Sequence, residues 1–462
     1  MSDSIALQKA KRIKGEITVP PDKSMSHRAI MFASLAKGKS TLKNFLMAED
    51  PISTMNAMRM LGIEIEQRAK GKGQKVTSEL VIYGKGLYGL KEPFDVIDCG
   101  NSGTTVRLLS GILAGNPFFS ALTGDDSLKQ RPMARVISPL KEMGAEISAR
   151  DNNKYLPMAV MGKRLRAINY IMPVASAQVK SCLILAGLYA DGVTEITEPQ
   201  RSRDHTERML RAMGADIEIE GRVIRVQGFK GSLLGSPRRV RLSADESPEA
   251  TRVQELNPFD ITVPADFSSA AFFIAASLLV PNSEVLIKDV CINPTRTGMI
   301  EVIKNMSGDI ALENIRNMSG EPVADICCKS VGGLKAVKIN EDIMPSLIDE
   351  FPIICVLATQ AKGITEIRGA GELRVKESDR IRAMAEGLRK MGAEVEEYKD
   401  GLSIKGNTKL KGASVDSYGD HRIAMAFSVA ALIASRTTTI KGISSVNISF
   451  PGFFELLKRL TK

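Results

Sequence analysis

Seven consecutive residues, Arg374-Val375-Lys376-Glu377-Ser378-Asp379-Arg380, place a lysine, two carboxylates and two arginines directly ahead of a stretch with helical apolar spacing. That set can move a proton beside a bound phosphate. An amine and a carboxylate exchange protons when their neighbours tune them, and guanidinium forks hold the anion. The plainer reading of five charges in seven residues is a solvated helix start. A second acidic site, Asp349-Glu350, heads the apolar run 351–358. Carboxylates there complement a helix dipole, or do acid–base work if partly desolvated.

Five polar or cationic clusters share this placement. Asp22-Lys23-Ser24-Met25-Ser26-His27-Arg28 precedes an apolar run, so Lys23, Ser24 and Arg28 can converge near a helix N-terminus, where free N–H groups favour an anion. Cys99-Gly100-Asn101-Ser102-Gly103-Thr104-Thr105 is small enough to admit a ligand to its backbone at Gly103. Lys129-Gln130-Arg131-Pro132 offers the planar fork of Arg131. Ser176-Ala177-Gln178-Val179-Lys180 offers the amide of Gln178, and Arg201-Ser202-Arg203-Asp204-His205 follows it as a dense charged loop. Tyr418-Gly419-Asp420-His421-Arg422 puts an arginine where the helix dipole disfavours one, which a bound anion would explain. Each cluster alone also reads as a capped turn or a surface charge. Together they imply one cationic cleft built from the starts of several buried helices.

Two nucleotide-like patterns fail. Gly84-Lys85-Gly86-Leu87-Tyr88-Gly89 follows a strand-like run, but Pro93 and another strand-like run come next instead of a helix. Gly38-Lys39-Ser40 has Ala33 where a phosphate loop needs its first glycine.

The elements that must position these clusters repeat. A helical apolar period ends in Met-Gly or a close relative and runs into an acidic–apolar alternation at 55–66, 136–148, 206–219, 299–312 and 383–397. A sixth copy, 453–460, is cut off by the end of the sequence. Ahead of these copies lie short helices apolar nearly all round, which must be buried. The openings ITVPPDKSMSHRAIMFASL (17–35) and ITVPADFSSAAFFIAASLL (261–279) match one another. We therefore expect an α/β protein of two similar domains with three repeats each. The charged, proline-bearing stretch 243–258 is the expected crossover.

With 462 residues, 44% hydrophobic and 25% charged, the chain has material for two or three cored domains. The formal net charge of +10 favours an anionic partner. Trp is absent and aromatics are 5%, so a base-stacking platform is poorly supplied and small phosphorylated substrates fit better than nucleic acid. The six cysteines and three histidines have no zinc spacing, and free thiols point to a reducing, cytoplasmic setting. No signal segment or membrane-spanning stretch is expected.

PDKSMSHR, GNSGTT, LTGDDSLKQRPM, SAQVKS, RVKESDR and GDHRIAM, in this order, resemble the EPSP synthase family along essentially the whole chain. SAQVKS, SRDHTE and IDEFP are similar to its class II subgroup. The resemblance implies an inside-out α/β barrel of six βαβαββ-like units, with the first domain at 21–256 and the second at 1–20 and 257–462. It implies enolpyruvyl transfer from phosphoenolpyruvate to the 5-hydroxyl of shikimate 3-phosphate, with no metal or organic cofactor, by a monomer that binds neither nucleic acid nor membrane. Shikimate 3-phosphate would meet Lys23, Ser24, Arg28, Ser176, Ala177, Gln178, Arg203, Asp349 and Lys376. Phosphoenolpyruvate would meet Lys23, Gly103, Arg131, Gln178, Arg380 and Arg422. Asp349 and Lys376 would manage the hydroxyl proton, and Glu377 the methyl proton. The sequence departs from the family pattern at Ser449, where many members carry lysine, and at Glu372, where others carry asparagine. Gly103 keeps space that some members fill with alanine. A related transferase acting on UDP-N-acetylglucosamine would need a cysteine-bearing loop where 123–131 has none and lacks a counterpart of RVKESDR. A nucleic-acid binder and an inactive sensor of shikimate intermediates are the other classes; neither needs Lys376, Glu377 and Asp349 to turn over substrate.

Overall fold

A computed structural model describes residues 3–70, 77–229 and 255–461. Most of the expected crossover, 243–254, lies outside the described residues.

Twelve helices of eight or more residues occur among these residues, and they alternate in character. Six are small and apolar nearly all round: α1 (Lys23–Leu35), α3 (Gly103–Ala114), α5 (Ala177–Gly187), α7 (Phe267–Leu279), α9 (Phe351–Gln360) and α11 (His421–Ala431). In α7 every residue but Leu279 is buried. Six are amphipathic or shorter and lie outside them: α2 (Glu49–Met60), α4 (Ala134–Glu142), α6 (His205–Ala212), α8 (Gly298–Asn305), α10 (Arg380–Lys390) and α12 (Phe453–Leu460). Such one-sided apolar stripes need a core to cover them. Gly392, at φ +89°, turns the chain after α10, while Ser307 makes the equivalent turn after α8 at φ +63°. The left-handed turn is therefore the constant feature; glycine is its cheapest occupant.

Five four-stranded sheets and one three-stranded sheet accompany the helices, besides two small two-stranded pairs. Each four-stranded sheet has the same plan. A strand pairs in parallel with the strand that follows the buried helix, and an antiparallel hairpin completes the sheet. In the first of them Asp260–Thr262 lies parallel to Lys37–Lys43, which is followed across the sheet by Thr77–Lys85 and Glu64–Lys70. In the fourth, Lys14–Ile17 lies parallel to Glu284–Cys291. The three-stranded sheet joins the two ends of the chain, with Ser4–Leu7 antiparallel to Thr438–Lys441.

The apolar core falls into two clusters. One gathers Ala10–Val19 side chains with those from Ala265 onward; the other gathers side chains from Met25 to Val263, with Cys291. Ile261 and Val263, expected with the second half, pack in the first, because their strand pairs with Lys37–Lys43 before the chain crosses. The two crossings lie side by side. Asp22 N–H donates to Pro264 O at 2.8 Å and Asp266 N–H to Pro20 O at 2.8 Å, around a bridge between Pro21 and Ala265. The 84–89 glycine run ends the strand Thr77–Lys85 and turns without opening a helix, as the flanking proline implied. All six cysteines are free.

Candidate active site

The six buried helices begin around one cavity of about 390 Å³ that lies between the halves. Helix starts carry unpaired N–H groups, so each must be capped or must face a ligand. Side chains cap most of them: Asp22 accepts from Met25 N–H at 2.8 Å, Ser102 from Thr105 N–H at 3.0 Å, Asp266 from Ser268 N–H at 2.6 Å and Asp420 from Arg422 N–H at 2.9 Å. Residues at or just after these caps then face the cavity: Lys23, Gly103, Asp266 itself and Arg422.

Lys23, Ser24 and Arg28 enter from α1, Gly103 from α3, and Ser176, Ala177 and Gln178 from α5. Arg131, Arg203, Asp349, Lys376, Glu377 and Arg422 complete the predicted set that lines the wall. Arg380 does not line it. Its guanidinium is 1% exposed and sits behind the carboxylates, donating to Asp420 at 2.7 Å, Glu377 at 2.7 Å and Asp349 at 3.3 Å. Arg374 also turns away: it bonds Asp379, Glu397 and the carbonyls of Tyr398 and Lys399, anchoring the loop that carries Lys376 and Glu377.

The wall is strongly charged, with nine cationic side chains against six carboxylates. Asp349 receives Arg203 at 2.5 Å and lies 3.4 Å from Arg422. Burial alone would raise its carboxyl, but Arg203, Arg422, Lys376 and Arg380 outweigh it and hold Asp349 well below the usual carboxylate range. Glu377 has the same balance: burial raises it, and Arg380, Arg131, His421 and Lys23 bring it well below. Lys376 moves the other way. Burial lowers its ammonium, Arg380 and Arg107 add to this, and Asp349 and Glu377 offset only part. The loop therefore sets an amine of weakened proton affinity beside two carboxylates held ionised by cations.

Several cavity residues carried no signal that the sequence reading used. Arg107 stands alone in the otherwise apolar α3, and that isolation is the sign that could have found it. It donates to Gln178 Oε1 and, at 3.2 Å, to Pro132 O, and burial plus Arg135 and Arg131 bring it down to about 9. Asp50, on α2, accepts from Lys23 Nζ at 3.1 Å. Ser449, the departure from the family pattern, accepts from the same Lys23 Nζ at 2.8 Å and lies 3.1 Å from His421 Nε2. A Cβ at Gly103 would stand 3.5 Å from guanidinium nitrogens of Arg107 and Arg131 and 3.8 Å from Gln178 Oε1, so a methyl group there would take up space at that wall.

The arrangement can hold two polyanions and trade protons between them. Comparison with known proteins agrees. The profile of "EPSP synthase (3-phosphoshikimate 1-carboxyvinyltransferase)" matches residues 7–251 and 240–457. A 3-phosphoshikimate 1-carboxyvinyltransferase of Thermodesulfovibrio yellowstonii is 55% identical over 456 residues, 99% of each chain. Its counterpart in Persephonella marina is 51% identical over 98% of each. The solved EPSP synthase of Acinetobacter baumannii superposes with a TM-score of 0.82 at 43% identity, covering 99% of this chain and 98% of that one. On sequence, fold and the content of its cavity, the chain belongs to the EPSP synthase family.

Proposed function

We propose that the cavity is where this chain transfers the enolpyruvyl group of phosphoenolpyruvate to the 5-hydroxyl of shikimate 3-phosphate, releasing phosphate. The observation that carries the assignment is the joining of six buried-helix starts, an excess of cations and the Lys376–Glu377–Asp349 cluster around one cavity. Two anionic substrates need all three features: dipoles and guanidinium groups for charge, and groups of opposed proton affinity for chemistry.

In the first step the 5-hydroxyl oxygen bonds to C2 while C3 gains a proton. In the second the C2–phosphate bond breaks and C3 returns a proton. Lys376, with its weakened hold on a proton, and Asp349, kept anionic, take the hydroxyl proton. Glu377 serves C3 in both directions. Its carboxyl is held ionised by cations, and bound phosphate and carboxylate groups answer those cations, which restores its ability to carry a proton. Lys23, Arg131 and Arg422 hold phosphoenolpyruvate beside Gly103 and Gln178, with Arg380 acting on it from behind the two carboxylates. Ser24, Arg28, Ser176, Ala177, Gln178 and Arg203 hold shikimate 3-phosphate. We read each sheet with its two helices as one of six repeats of an inside-out barrel. The halves are read as two closing domains of a cytoplasmic monomer that acts on small anions, not on nucleic acid or membrane.

The test is phosphate release with both substrates and with each omitted, the product being identified by mass. Release that needs both, with an enolpyruvyl adduct of shikimate 3-phosphate, is expected. A folded protein that binds ligands and releases no phosphate would overturn the assignment in favour of a sensor.

A further inference from the structure

The segment that carries Lys376 and Glu377 belongs to the second half, yet its front rests on the first. Behind, Arg374 ties it to the rest of the second half through three hydrogen bonds of 2.7 to 3.0 Å, to Glu397 and the carbonyls of Tyr398 and Lys399. In front, two carboxylates reach arginines of the first half. Glu372 Oε2 lies 2.6 Å from Arg135 Nη1 on the first turn of α4, and Glu377 Oε1 lies 3.8 Å from Arg131 Nη1. Arg135 and Glu372 sit at the cavity edge with side chains 20% and 30% exposed. Their pairing therefore depends on the two halves being together.

The first half needs this partner. Arg107, Arg131 and Arg135 crowd one wall, and the proton affinity of Arg107 is lowered by burial, then by Arg135 and Arg131, with Glu372 and Glu377 in opposition. A wall of three guanidinium groups is repulsive by itself. The approach of Glu372 supplies the missing charge at one end and brings Glu377 to Arg131 at the other.

We infer that Arg135 and Glu372 form a closure latch, a pair of positioning residues that seats the Lys376–Glu377 segment against the first half. They act through that segment and not on the reacting atoms. The inference rests on the cavity being the substrate site, and it makes an asymmetric demand. Without Arg135, Glu372 presents a bare carboxylate to anionic substrates. Without Glu372, Arg135 adds a cation. Loss of Arg135 must therefore raise KM for phosphoenolpyruvate more than loss of Glu372, while both lower kcat.

The experiment is a charge-reversal cycle on the full chain: wild type, Arg135→Glu, Glu372→Arg and the double variant, with kcat and KM measured by phosphate release. Each single reversal is expected to lower kcat about tenfold, and the double to return within about threefold of wild type. A double variant no better than the worse single, or singles with unchanged kcat, overturns the latch. If the reversed chains do not fold, the Arg135→Gln and Glu372→Gln cycle decides. Non-additivity of about fivefold in kcat is expected, and strict additivity overturns the inference. A pair with a purely structural role would couple in thermal midpoint and leave kcat unmoved. Inactivity of the wild type itself would count against the reaction, not the latch. The latch would then be read from the same four proteins by ligand-dependent small-angle scattering.

Discussion

Glu377 and Lys376 are neighbours with opposite electrostatic histories, and this gives each a separate signature. Glu377→Gln keeps the shape and the hydrogen-bonding reach to Arg380 but cannot carry a proton to and from C3. Turnover should fall by about 10² to 10⁴, the usual worth of a positioned acid–base group, while both substrates still bind by calorimetry. Near-normal turnover would remove Glu377 from the proton path. Lys376 has its ammonium lowered, chiefly by burial. If its neutral form takes the hydroxyl proton, kcat/KM must rise with pH along a limb centred below the ordinary lysine value of about 10.4. That quantity reports the free enzyme, in which Lys376 has the surroundings described above. Lys376→Arg, always protonated, should lose the limb; an identical profile would reassign the base to Asp349. Arg131→Ala should mainly raise KM for phosphoenolpyruvate, and an unchanged KM would count against a contact there. The residues behind these expectations were legible because they are dense in charge where apolar helices begin. Arg107 was marked only by its isolation in an apolar helix, and Asp50 and Arg135 were not legible, because Gln178, Lys23 and Glu372, the groups these three meet, are distant in sequence.

At the scale of elements, the site depends on how closely α3 and α5 approach. Gly111 is the point of approach: a Cβ there would lie 2.2 Å from the carbonyl oxygen of Cys182. Backbone cannot yield as a side-chain tip does, so Gly111→Ala must push the helices apart. We expect a cost of about 2 kcal/mol in urea unfolding, in the range of overpacked cores. Weaker substrate binding should accompany it, because α3 presents Gly103 and α5 presents Ser176 to Gln178. An unchanged midpoint would mean that the helices slide freely. The buried helices and their glycine-ended partners were readable from apolar spacing. The pairing of strands was less so. Asp260–Thr262 and Ser4–Leu7 are too short for period-two alternation to mark them, and no local pattern says which strand they join. The first pairs with a segment more than two hundred residues earlier and the second with the far end of the chain. Those partners follow from where the chain crosses between halves, which a local pattern does not encode.

At the scale of the molecule, the contacts between halves are of two kinds, and the difference predicts a motion. Near the crossings they are sealed. Arg296 joins Asp22 and Asp266, one helix cap from each half, and His205 meets Glu321 at 2.7 Å, with all five side chains buried. Around the cavity they are ionic and partly wet: Arg203 with Asp349, Arg131 with Glu377, Arg135 with Glu372. Breaking the first kind strands buried charge, which costs several kcal/mol. Exposed pairs are worth about 1 kcal/mol or less, and these partly shielded ones somewhat more. Opening should therefore pivot about the crossings and separate the cavity wall. Substrates bias the same motion, since each phosphate brings a charge of about −1.5 to −2 to a wall with an excess of cations. Small-angle scattering should give a smaller radius of gyration with shikimate 3-phosphate and phosphoenolpyruvate together than without them. The contraction should need higher ligand concentrations as salt rises, because screening at about 8 Å in 0.15 M salt acts on the open, solvated wall more than on the closed one. Scattering curves that superpose with and without both ligands would mean that the halves are held as found here, and substrates would then have to enter through local movement of the 371–379 segment.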